Sequence, residues 1–200
     1  MTAPGRFVVF EGGDACGKST QAARLAARRD AVLTREPGGT PLGERVRELF
    51  LDPASGPVEP RTEALLVAAA RAQHVAAVIA PALETGRDVV TDRFTGSSLA
   101  YQGFGRGLDV DALRGLSRFA AGGLEPDVYV LLEVPAALAR QRLGGDRDRM
   151  EAAGDDFHER VRAGYSALAR SDGWVVVDGS GSIDEVERAV WEAVSGRLGW

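Results

Sequence analysis

The run FVVFEGGDACGKSTQAARLAARR, residues 7–29, decides the fold. It opens on an apolar, β-branched and aromatic stretch (7–11), turns through glycines, and continues into alanine- and arginine-rich helix formers. Gly12, four residues, then Gly17-Lys18-Ser19 match the phosphate-loop pattern G-x-x-x-x-G-K-[ST], after a strand and opening a helix as that loop requires. Glycines let the backbone curl so that N–H groups point inward, and the helix N-terminus adds positive potential. Lys18 is the only lysine among 24 basic residues. A compact, flexible ammonium suits the β- and γ-phosphates better than a planar guanidinium, which explains a lysine here and arginine everywhere else. Ser19 is placed to ligate Mg²⁺.

Outward from this run, strand-like stretches at 31–34, 88–94, 128–134 and 174–179 alternate with helical patterns at 41–51, 61–85, 109–121, 135–143, 155–170 and 183–198. Such alternation indicates βαβ units, a mainly parallel sheet and helices on both of its faces. The strands are almost wholly apolar, as expected for a sheet covered on both sides. Residues 35–43, 101–109 and 144–156 resist a regular reading, and the last is a candidate lid. The 200 residues suit one domain, and a net charge of −5 argues against a broad nucleic-acid or anionic-membrane surface. No apolar run reaches about 18 residues, so no membrane span is expected. The single cysteine rules out an intramolecular disulfide and fits a cytosolic protein.

A phosphate loop alone names a nucleoside triphosphate, and switch GTPases and ATPases share it. Arginines in the irregular segments narrow the choice: Arg140, Arg142, Arg147 and Arg149 lie in or beside the candidate lid, and Arg35, Arg71 and Arg93 lie in other candidate site segments. Bringing two phosphate groups together requires several cations, and arginine grips phosphate oxygens in bidentate fashion. Asp92 ends the third strand, where an acid holds Mg²⁺ or its water, and Arg93 beside it is placed for an acceptor phosphate. An acceptor that is already an anion needs no general base; Asp14 and Glu36 keep a hydroxyl acceptor open. Arg24, Arg28 and Arg29 read as a solvated helix face. Cys16 reads first as a small side chain that fits the loop; the alternative is a thiol activated by the helix N-terminus, readily alkylated and protected by ATP. His74 and His158 read as structural or surface residues, with no zinc site.

FEGGDACGKST (10–20), TREPGGTPLGERVRE (34–48), RAQHV (71–75), DRFTGSSLAYQGFGRGLD (92–109), EPDVYVLLEVP (125–135) and DRMEAAGDDFHERVRAGY (148–165) together resemble the bacterial thymidylate kinases, in that family's order and over nearly the whole chain. The resemblance implies a three-layer α/β P-loop NTPase fold, with a five-stranded parallel sheet of order 2-3-1-4-5. It implies one kinase domain over 1–200 with a lid at about 144–155, ATP-dependent phosphorylation of dTMP to dTDP, Mg²⁺ and a homodimer. By the same resemblance Gly12, Gly13, Asp14, Ala15, Cys16, Gly17, Lys18, Ser19 and Thr20 would serve ATP, and Ser19 and Asp92 the Mg²⁺. Arg93 would hold the dTMP phosphate, Arg71 the thymine, Tyr101 the sugar 2′ position, and Ser98 and Gln102 the base. Asp14 and Glu151 would approach the sugar and metal, with Glu36 and Pro37 also at dTMP. Position 15 is Ala, so the chain looks like the type in which a lid arginine (Arg142, Arg147 or Arg149) replaces one from the phosphate loop. The chain departs from the family at Val67, where an aromatic usually stacks on the base, leaving Phe94 or Phe104 as substitutes. Ala70 and Glu133 are lesser departures.

Overall fold

The computed structural model describes residues 3–144 and 148–200. Five parallel strands, β1 (Phe7–Glu11), β2 (Val32–Arg35), β3 (Val89–Asp92), β4 (Val128–Glu133) and β5 (Val175–Asp178), form one sheet in the order β2-β3-β1-β4-β5. The central strand β1 pairs Val8 with Val90 on one side and with Val128 on the other. Alternation of side chains divides its residues between the two faces. Val8 and Phe10 join a core with α1 (Lys18–Arg29) and α9 (Ile183–Leu198), through Ala22, Leu25, Val186 and Val190. Phe7 and Val9 join the opposite core with Ile79, Leu83 and Phe94. Burial on both faces is why this strand reads as an unbroken apolar run.

The face opposite α1 carries α2 (Pro41–Leu51), α3 (Pro60–His74), a π-helical turn Val75–Ile79, α4 (Ala80–Glu84), α6 (Val110–Ala120) and α8 (Asp155–Asp172). The helix Pro60–Glu84 is continuous and, by length and composition alone, apolar enough to cross a membrane. No single apolar run in the sequence shows this, because the charged residues are spaced out. The charged residues identify it as a core helix instead: Glu63, Arg71 and His74 are buried and bonded to other elements of the protein. Residues 101–109, expected to be irregular, are largely helical: α5 (Thr95–Ser98) runs into a π-helix at Leu99–Gly105. Gly105 is there for packing, since a Cβ would lie 2.6 Å from the Phe157 ring of α8. The helix α7 (Ala136–Arg142) buries none of its residues. Arg24, Arg28 and Arg29 tie α1 to the C-terminal segment: Arg24 pairs with Asp184 and Glu187, and Arg28 and Arg29 lie over the Trp191 and Trp200 rings.

Candidate active site

The loop between β1 and α1 has the conformation its glycines permit. Gly12 and Gly17 sit at φ 140° and 98°, and a Cβ on Gly12 would lie 2.5 Å from the Leu132 carbonyl oxygen. Ala15 also takes a left-handed conformation. The Lys18 ammonium donates to the Gly13 carbonyl at 2.7 Å, beside Cys16 Sγ. Cys16 is buried between the loop and the α1–α9 core, which overturns the expectation of ready alkylation and leaves the small-side-chain reading. Thr20 follows on the exposed side of α1.

Arg93 stands at the end of β3 with φ 73°, a conformation that costs an arginine free energy unless its surroundings impose it. They do: its guanidinium donates to Gly12 O, Ser97 Oγ, Tyr165 OH, Tyr101 OH and Asp14 Oδ1. Behind it lies Glu11, fully buried, accepting from the Phe94 and Ser97 N–H groups and from the Ser97 and Tyr165 hydroxyls. Burial pushes the Asp14 carboxyl up, but Arg93, then Lys18 and the Tyr101 hydroxyl, outweigh it and hold it below the usual carboxylate range.

Two cavities meet at this residue. One runs along the phosphate loop past Lys18, Ser19, Asp92 and Glu151. The other lies between α2, α3 and α5, lined by Pro37, Phe50, Val67, Arg71, Phe94, Ser98, Tyr101, Gln102 and Met150. Asp14, Glu36, Arg47, Arg93 and Asp148 line both. In the second cavity Arg71 is held by Glu36 (2.7 Å), the Phe94 carbonyl, Ser98 and Ser117. These contacts occupy four of its five N–H groups, leaving one for an acceptor in the cavity. Both Glu36 oxygens are engaged, one by Arg71 and one by His74, which bonds Thr34 at 2.6 Å. Glu36 is therefore a buried orienting group, unsuited to act as a base. Breaking such a buried pair by removing one partner costs about 3–5 kcal/mol. Phe94, wholly buried, lines this cavity beside Val67, whereas Phe104 packs against Gly164 of α8.

Arg47 is the site residue that sequence reading missed. It sits on α2 between buried Gly43 and Phe50, one and nearly two helical turns of the same face, and its side chain bonds only the Pro37 carbonyl among the described residues. Burial, then the neighbouring Arg35, lowers its pKa, a penalty an anionic ligand would relieve. An arginine on the buried stripe of an amphipathic helix was the available signal.

The lid arginines are dispersed. Arg147 lies outside the described residues. Arg142 donates to the Gly179 carbonyl on the α1 side of the sheet. Arg149 lines neither cavity and is tied to Glu63 and the Phe50 carbonyl. Glu151 reaches the phosphate-loop cavity, with His158 bonded to its carbonyl. Glu133 accepts from Ser166, and Ala70 is buried.

The residues present fit a Mg²⁺ ion. Asp92 Oδ1 is buried with no partner among the described residues, while its Oδ2 accepts from Ser19 Oγ at 2.5 Å. Mg²⁺ takes one or two protein oxygens and completes its shell with phosphates and water.

This geometry has close relatives. The thymidylate kinase family model matches residues 10–190. Over 204 residues the chain is 49% identical to the thymidylate kinase of Leifsonia xyli, covering 98% of this chain and 97% of that one. It is 48% identical to that of Deinococcus radiodurans over 96% and 98% of the two chains. The crystal structure of thymidylate kinase from Ehrlichia chaffeensis superposes with a TM-score of 0.77 at 30% identity, covering 96% of this chain and 99% of that one. Matches of this extent, running through the phosphate loop and both cavity walls, establish that the chain belongs to the thymidylate kinase family.

Proposed function

We propose that this chain transfers the γ-phosphoryl group of ATP to dTMP, giving dTDP and ADP. One observation carries the reading: Arg93 and Arg47 line both the phosphate-loop cleft and the cavity of Arg71, so one pair of cations faces the meeting point of two anions. Lys18, with the N–H groups of residues 12–20, cradles the ATP phosphates. Arg93 and Arg47 hold the dTMP phosphate in line with the γ-phosphorus. An oxygen of that phosphate attacks, and the bond to the β–γ bridging oxygen breaks as ADP leaves; the nucleophile is an anion, so no base is required. Ser19 and Asp92 would hold Mg²⁺, which would offset charge on the phosphates of ATP. Arg71 meets the thymine with its remaining N–H, Ser98 and Gln102 flank it, and Phe94 and Val67 supply the apolar wall. Asp14 and Tyr101 face the sugar. The lid cation falls to Arg142 or Arg147, at either end of residues 142–147.

The test is ADP release from Mg-ATP with dTMP, dUMP, dCMP, dGMP or UMP. We expect kcat/KM for dTMP to exceed that for dUMP, which lacks one methyl, by about tenfold or more. The other acceptors should be poorer still. Equal rates across the panel would remove the assignment of base selection to this cavity.

We also propose a cytosolic homodimer. α3 packs between α2 and α6, and these helices expose Leu42, Leu49, Leu65 and Phe119, the last 86% exposed. Apolar side chains on adjacent helices fit a second copy of the chain. Sedimentation equilibrium should give twice the chain mass, and Phe119→Asp should shift the population to single chains. A wild type that sediments as a single chain throughout removes the proposal.

A further inference from the structure

We infer that Arg149 is a positioning residue of the dTMP pocket, acting through Glu63, and not a cation for the transferring phosphoryl group. The inference rests on reading the cavity of Arg71 as the dTMP site. Glu63 lies on α3, fully buried, and accepts from Arg149 at 2.5 Å, from Arg106 at 2.9 and 3.1 Å, and from Gln102 at 3.3 Å. Arg149 is bonded further: its Nε donates to the Phe50 carbonyl at 2.9 Å and its backbone N–H to the Leu51 carbonyl at 2.9 Å. Its Nη2 is sealed from solvent, and unlike Asp92 the residue lines neither cavity, so it presents no donor to a bound phosphate in this arrangement. The guanidinium thus clasps three elements: the end of α2, the start of α3 and the segment 148–151.

What the clasp holds is the pocket wall. Phe50 and Leu51 at the end of α2, Asp148 and Met150 on either side of Arg149, and Gln102 on the same carboxylate all line the cavity of Arg71. Arg106 contacts Met150 Sδ at 3.8 Å and lies over the Phe157 ring, fixing the clasp from the α8 side. Two guanidiniums on one buried carboxylate leave a net positive charge, a costly arrangement that persists only with satisfying geometry. Removing Arg149 frees the 148–151 segment and the end of α2 together.

The decisive experiment is steady-state kinetics on Arg149→Ala, Glu63→Gln and the double variant, varying dTMP and ATP separately. Both single variants should raise KM for dTMP by about tenfold with KM for ATP little changed, and the double variant should be no worse than the worse single, because both break one clasp. Arg149→Lys, which keeps a cation on Glu63 but loses the fork, should lie between wild type and Arg149→Ala and serves if the alanine variant fails to fold. A kcat loss of about 10²-fold or more in Arg149→Ala, with KM for dTMP unchanged and Glu63→Gln silent, would overturn the inference and return Arg149 to the phosphoryl group. Additive effects in the double variant would also overturn it. Wild type with dTMP is the control on the substrate reading; if it turns over a different monophosphate, the same KM comparison with that acceptor decides.

Discussion

Lys18→Ala is expected to lower kcat by about 10²–10³-fold while the protein stays folded, the effect of removing one preorganised donor from a site where charge develops. Lys18 is nearly buried at the start of α1, and among the described residues its side chain bonds only Gly13 O and, weakly, Cys16 Sγ. Losing a hydrogen bond made by a charged group costs roughly 1.5–3 kcal/mol, which a 200-residue fold with cores on both sheet faces tolerates. The catalytic loss is larger because the same ammonium must follow the γ-phosphoryl as it moves between ADP and dTMP. Lys18→Arg should be nearly as poor, since a broad planar fork cannot take the place of a compact ammonium seated between the Gly13 carbonyl and Cys16 Sγ. Turnover and the thermal midpoint are measured on the same preparations. A near-normal kcat in Lys18→Ala would remove the phosphate-loop assignment.

The parts legible in the sequence are those decided locally. The strands could be read because β1, β3 and β4 are covered on both faces, which demands an unbroken apolar run. The phosphate loop could be read because its glycines answer to backbone conformation at 12 and 17. The order β2-β3-β1-β4-β5 came from family resemblance, since alternation alone does not order strands. The sequence is silent where a residue answers to distant partners. Gly103 and Gly105 suggested a loop, yet they are helical residues, Gly103 kept small by Val110 and Gly105 by Phe157 of α8, which is remote in the local pattern. Arg149 shares a polar run with Arg147 and reads there as one more lid cation; its ion pair with Glu63, 86 positions away, is not legible from that run. Arg47 carries no irregular-segment signal, because it projects from the buried face of a regular helix. For Cys16 the helix start left an activated thiol open beside the small-side-chain reading, and only three-dimensional packing shows that the thiol is buried.

Arg93→Ala is expected to reduce kcat/KM for dTMP by about 10²–10³-fold, in the range for truncating one partner of a buried, hydrogen-bonded charge pair, with the ATP dissociation constant much less affected. The asymmetry follows from placement: Lys18 and the loop N–H groups remain for ATP, whereas the dTMP phosphate keeps Arg47 alone. Arg93→Lys should recover part of the loss, because a point charge replaces the charge but not the five-way bonding to Gly12, Asp14, Ser97, Tyr101 and Tyr165. A second consequence concerns pH. In the wild type burial raises the Asp14 pKa, and Arg93 is the largest of the groups that reverse this and leave it below the usual range. A carboxyl with a lowered folded pKa stabilises the ionised form at neutral pH and loses that contribution as pH falls through the folded value. Without Arg93 the largest opposing charge is gone, so the Asp14 pKa rises and protonation begins at higher pH. The acid limb of kcat/KM for dTMP should therefore move to higher pH in Arg93→Ala, and Asp14→Asn in that background should abolish the shift. An Arg93→Ala enzyme with unchanged apparent affinity for dTMP and unchanged kcat would refute the role of Arg93. An acid limb that stays in place would break the link between Arg93 and Asp14 even if the acceptor phosphate is held as described.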